Sequence, residues 1–175
     1  MEWFSLRFFQ AVYLRLISEE SALGDYLRTT RECTLDEMNP VVAESIREHI
    51  QKYELEDVES SSLISCETTS TKIKKGFFGG KAEPIQTGIL LTPRWLIWAS
   101  ANAKETFGVH SARLDTIQAQ DYEKSEMFKL VSDSGVNISG LRTDSTDVGS
   151  IFIGLGPEAA AVRFRAMLKE AISKT

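Results

Sequence analysis

Residues 88–100 read Gly88-Ile89-Leu90-Leu91-Thr92-Pro93-Arg94-Trp95-Leu96-Ile97-Trp98-Ala99-Ser100. Two apolar runs, rich in β-branched and aromatic residues, flank Thr92-Pro93-Arg94-Trp95. Proline presets φ for the second position of a type I or II turn, so the stretch predicts a β-hairpin. The runs are too continuous for strands with one wet face. At least one of them is therefore expected to be buried on both sides.

Strand-like patterning continues on either side. Ser65 to Lys74 and Ile85 to Thr92 precede the turn, and Trp95 to Ser100 follows it. Asn102 to Lys104 reads as a turn. Thr106 to His110, Thr116 to Gln120, Met127 to Ser132, Val136 to Leu141 and Ser150 to Gly154 read as further strands. Seven or eight short strands at regular spacing predict an antiparallel barrel or sandwich. The last helix is expected from Pro157 to Ser173, with proline at its first position and Glu158 in its first turn. Ala160, Phe164, Met167, Leu168 and Ala171 form its apolar stripe.

Before residue 61 the pattern is helical. Leu6, Phe9, Val12, Tyr13, Leu16 and Ile17 share one face of a helix predicted over residues 3–20, and Trp3, Phe4, Phe8 and Leu14 widen it. Residues 24–34 read as irregular or as a short helix. Asn39-Pro40 supplies an N-cap and a first helical position, predicting a helix to about Tyr53 with Val42, Ile46, Ile50 and Tyr53 on its buried side. Glu54 to Ser62 is acidic and then serine-rich, and the division between segments is placed there.

The hairpin also carries a resemblance. Gly88-Ile89-Leu90-Leu91-Thr92-Pro93-Arg94-Trp95-Leu96-Ile97 is similar to the strand-turn-strand of GRAM and bacterial pleckstrin-homology-like (PH-like) domains. Ala112-Arg113-Leu114-Asp115-Thr116-Ile117 resembles that family's strand with its Leu-Asp-x-Ile turn, and the closing helix falls where those domains carry theirs. The resemblance spans roughly residues 62–173 and implies an α+β, mainly β, fold. That fold is a PH-like bent antiparallel sheet or barrel of about seven strands, capped by the C-terminal helix. The expected division is a helical segment over residues 1–60 and a PH-like domain over residues 61–175.

Composition is that of an ordinary soluble globular protein. The 175 residues are 42% hydrophobic and 26% charged, with a net charge of −5, which argues against nucleic acid as a partner. Residues 1–60 carry a net −7 and the remainder a net +2. Cys33 and Cys66 lack zinc-ligand spacing, so no metal site is expected; they read as small buried hydrophobes of a reducing compartment, with a disulfide between them as the alternative. Glu2, Arg7 and Arg15 interrupt the apolar N-terminus, which reads neither as a signal peptide nor as a spanning helix. A cytoplasmic protein is expected.

Gly154-Leu155-Gly156-Pro157-Glu158-Ala159 matches a dinucleotide-binding string, but that motif needs a downstream strand carrying an acid, and the chain has room only for one helix. His49 and His110 sit near no nucleophile motif. The reading is therefore a non-enzymatic interaction module without cofactor. Its partner is a protein or a second copy, engaged through the N-terminal helix. The alternative is peripheral binding to anionic lipid. It uses the loop Lys72-Ile73-Lys74-Lys75-Gly76-Phe77-Phe78-Gly79-Gly80-Lys81, where Lys72, Lys74, Lys75 and Lys81 surround Phe77 and Phe78. The resemblance implies phosphate contacts there, although the family's Lys-x-Arg pattern on the second strand is replaced by Ala82, Glu83 and Pro84.

Overall fold

A computed structural model of the chain describes residues 26–55, 58, 60–73, 83–142 and 148–175. The helix predicted over residues 3–20 lies outside them. Among the described residues the fold is α+β and mainly β. Strands β1 (Tyr26–Glu32), β2 (Ile64–Lys72), β3 (Ile85–Leu91), β4 (Trp95–Ala101) and β5 (Thr106–Arg113) form one antiparallel sheet in that order. Strands β6 (Gln118–Asp121), β7 (Gly135–Arg142) and β8 (Val148–Gly154) form a second. Helix α1 (Pro40–Lys52) lies between β1 and β2 in the chain, and helix α2 (Ala159–Ser173) closes it. The strands make two sheets rather than a closed barrel.

The opening hairpin is the centre of both cores. Ile89, Leu91, Leu96 and Trp98 point into one cluster with Val136, Ile138 and Ile153 of the second sheet and Phe164 and Leu168 of α2. Leu90, Ile97 and Ala99 point the other way, against Met38, Val42 and Ile46. Both strands are thus buried on both faces, as their unbroken apolar runs predict. Thr92 makes the turn: its buried hydroxyl accepts the Arg94 and Trp95 N–H groups at 3.2 and 2.9 Å, and its own N–H donates to the Trp95 carbonyl at 2.9 Å.

Close packing of α1 depends on Gly88. A Cβ there would stand 2.5 Å from Val42 Cγ1 and 2.8 Å from Met38 Sδ. Asn39 caps the helix, its side chain accepting the Val41 N–H at 3.0 Å. The Asn39 N–H in turn donates to Oε1 of buried Glu67 at 2.5 Å, and Arg31 donates to Glu67 Oε2 at 2.7 Å. One carboxylate on β2 therefore ties β1 and the start of α1 together. The stripe Val42, Ile46 and Ile50 is turned inward as predicted, while Tyr53 is exposed.

Three further expectations require correction. Residues 24–34 read as irregular or helical, yet 26–32 are strand. Arg28, Thr30 and Arg31 find partners in Asp133, Thr68 and Glu67, and these distant contacts override the polar local pattern. Met127 to Ser132 is not a strand; Glu126–Lys129 is a 3-10 turn whose backbone bonds are local, with Phe128 N–H on Ser125 O and Val131 N–H on Met127 O. Helix α2 begins at Ala159, two residues after Pro157, with Glu158 as its extended N-cap residue, whose carboxylate accepts the Thr30 N–H at 2.8 Å.

Elements from both sides of residue 60 share the five-stranded sheet, and Val58 is buried under α1's side of it. Leu114–Thr116 makes a 3-10 turn that carries the chain from one sheet to the other, anchored by buried Leu114 and Ile117. Ion pairs hold α2 on the rims: Lys169 to Asp121 at 2.6 Å, Arg165 to Glu123 at 2.9 Å and Arg163 to Glu32 at 3.0 Å.

Candidate interaction surface

Of the residues read as a basic-aromatic loop, Lys72 is the last of β2, exposed and opposite Tyr26. Lys74, Lys75, Phe77, Phe78 and Lys81 lie outside the described residues. Glu83, just beyond that loop, pairs with Lys104 at 3.0 Å.

The feature that sequence reasoning missed is on the outer face of the three-stranded sheet. Segment 122–131 leaves β6 as two 3-10 turns and folds over the sheet's end. Tyr122 pins it. The ring is buried between Phe128 and Phe152, at 6.2 and 4.6 Å between centroids, and the hydroxyl donates to the Val131 carbonyl at 2.9 Å. With Tyr122 and Phe128 turned to the sheet, Met127, Leu130 and Val131 are left outward, 52%, 60% and 47% exposed. Beside them lies an open hollow of about 580 Å³, lined by Tyr122, Met127, Val131, Ile151 and Phe152 with polar Gln120, Asp133, Asn137, Ser139 and Ser150 around them. An apolar step with a polar surround is the ordinary composition of a docking surface.

Arg28 borders this hollow from β1. Its guanidinium forms an ion pair with Asp133, with both side chains nearly out of solvent, and lies 5.0 Å from the Tyr26 ring centre and 5.5 Å from that of Phe152. Gly154 gives it passage, since a Cβ there would collide with the guanidinium. Arg28 Nε is buried without a partner among the described residues.

A second constellation joins α1 to β5. His49 Nε2 and Ser111 Oγ are 2.9 Å apart, and the Tyr53 ring is 4.6 Å from the imidazole. Burial first, then nearby His110 and Lys52, hold the His49 imidazole below its ordinary value. The hydrogen bond between imidazole and hydroxyl ties helix to sheet edge here. Among the described residues no group of three His, Cys, Asp or Glu side chains is placed to hold a metal ion, and no helix is long and apolar enough to cross a membrane.

No protein-family model matches this sequence, and neither a curated protein nor a solved structure is significantly similar to it.

Proposed function

We propose that the chain is a non-enzymatic, PH-like interaction module that binds a protein partner through the outer face of its three-stranded sheet. The observation that carries this reading is the exposed step of Met127, Leu130 and Val131 beside the Phe152 hollow. Three adjacent large apolar side chains left in water by a segment that is otherwise pinned gain most by association. The PH-like part of the reading draws on the hairpin's sequence resemblance and on a C-terminal helix packed against a core shared by two antiparallel sheets.

The test compares wild type with Leu130→Glu/Val131→Glu at matched melting temperature. Affinity capture from the cells that make the protein should recover a stoichiometric partner with wild type, and the double variant should lose it. Equal recovery by both would overturn the reading. So would sedimentation of both with anionic liposomes at low salt, which would favour lipid attraction through the 72–81 loop.

A further inference from the structure

The five-stranded sheet treats its two edges differently. At β1 the outward Thr30 N–H is taken by the Glu158 carboxylate at 2.8 Å, and the Gly156 N–H donates to the Thr30 hydroxyl at 2.8 Å. At β5 no strand among the described residues pairs on the far side. The register decides which main-chain groups this leaves open. The Leu114 N–H donates to the Arg94 carbonyl at 3.0 Å, and along the same ladder Ala112 faces Leu96 and His110 faces Trp98. Antiparallel ladders alternate, so Ala112 and His110 turn their amides to β4, whereas Val109, Ser111 and Arg113 turn theirs away from it. The Arg113 carbonyl accepts the Thr116 hydroxyl at 2.9 Å. The N–H and C=O of Val109 and Ser111 and the N–H of Arg113 are left on the edge. The register shifts between Ala99 and Ala101, where Gly108 takes a φ of 110°, so the straight run is Val109 to Arg113.

Helix α1 makes a wall beside this edge. It crosses from Gly88 on β3, where Val42 packs, to β5, where Ser45 Oγ and His49 Nε2 reach Thr106 and Ser111 at 3.3 and 2.9 Å. Glu48, His49, Lys52 and Tyr53 of the helix and Thr106 and Val109 of the strand line an open hollow of about 390 Å³ between the two.

We propose that the edge of β5 takes an extended peptide segment of another protein as an added strand, with one of its side chains in this hollow. Only extended backbone matches a row of outward N–H and C=O groups at strand spacing. A second copy of the chain fits less well. Paired β5 strands lie about 4.8 Å apart, and each would carry the C-terminal half of an α1 above it, whereas packed helices need about 8–10 Å between axes. A bare segment brings no such helix. This surface is separate from the Met127 step and goes beyond the reading of that face.

Residue-resolved amide exchange of the full chain by nuclear magnetic resonance tests this. In the free protein Val109 and Ser111 should exchange fast, and His110 and Ala112 slowly. Protection of Val109 and Ser111 in the free protein overturns the inference, because the edge is then already taken: by a second copy where dilution removes the protection, by the chain itself where it does not. Short peptides selected from a random phage-displayed library on the immobilised protein are then the probe. They should slow Val109, Ser111 and Arg113 about tenfold or more. Ser111→Pro removes an outward N–H and no bond to β4, and Ser111→Ala removes only the hydroxyl that meets His49. Binding of the peptides should fall about tenfold or more with proline and stay at the wild-type level with alanine, while exchange within 89–98 is unchanged in both. Should the proline variant fail to fold, the wild-type exchange pattern decides alone. Failure to enrich any peptide, peptides that leave the β5 amides unslowed, or equal binding by the proline and alanine variants overturns the inference. Leu130→Glu/Val131→Glu should bind the peptides as wild type does; their loss there places them on the Met127 step and overturns the β5 proposal alone.

Discussion

Arg28 and Asp133, 105 positions apart, form an ion pair that joins β1, an edge strand of the five-stranded sheet, to the segment entering β7. Both side chains are nearly buried, and Asp133 also accepts the Ser134 N–H at 2.7 Å. Removing one partner leaves the other charge uncompensated out of water. Asp133→Ala should cost about 3–5 kcal/mol in a denaturant titration, whereas Arg28→Met with Asp133→Ala should cost less than that single change. Additive losses would mean that the two charges act independently.

Gly88 sets the distance between α1 and the sheet. Gly88→Ala places a methyl group against Val42 Cγ1 and Met38 Sδ, and overpacking of this kind costs about 1–3 kcal/mol. Val42→Ala in the same chain should recover part of that loss although it is destabilising alone. A double variant no better than the sum of the singles would show that the contact is relieved elsewhere.

Leu168 is fully buried on α2 and Val162 is 63% exposed. Leu168→Ala should therefore destabilise by about 2–5 kcal/mol, and Val162→Ala by less than about 0.5 kcal/mol. The ratio of the two, measured in one titration series, checks which side of the helix is the core side.

Burial pushes the Cys66 thiol from its ordinary 9.0 up to about 12. The folded state thus holds the neutral thiol. The stability that depends on it is fully present below about pH 9 and is lost as the pH rises toward 12. Cys66→Ala will be less stable at neutral pH but should decline less steeply between pH 9 and the alkaline limit. Parallel decline of variant and wild type would show that other groups carry the alkaline loss. Cys33 shifts in the same direction, also by burial.

The legible part of this fold was the part whose signals are local. The hairpin at 85–101 announces itself by Pro93 and its unbroken apolar runs, and α1 by Asn39-Pro40. Strand β1 was illegible because Arg28, Thr30 and Arg31 are satisfied only by residues far along the chain. The segment 127–132 misled for a more useful reason. Its apolar run has the composition of a strand, yet Tyr122 and Phe128 take the interior positions and leave Met127, Leu130 and Val131 outside. A mismatch between local pattern and observed structure is expected where function overrides packing, and here it coincides with the proposed docking surface. No sequence signal marked Phe152 or Asp133 as its neighbours.

The most direct measurement is the peroxide oxidation rate of Met127 in the full-length protein, followed residue by residue. Met127 is half-exposed on the described surface, whereas Met38 is 4% exposed and serves as the slow internal standard. Thioether oxidation follows solvent access. If Met127 stands in an open apolar step, it should oxidise at close to the rate of free methionine and many times faster than Met38. Oxidation of Met127 as slow as that of Met38 would contradict the account.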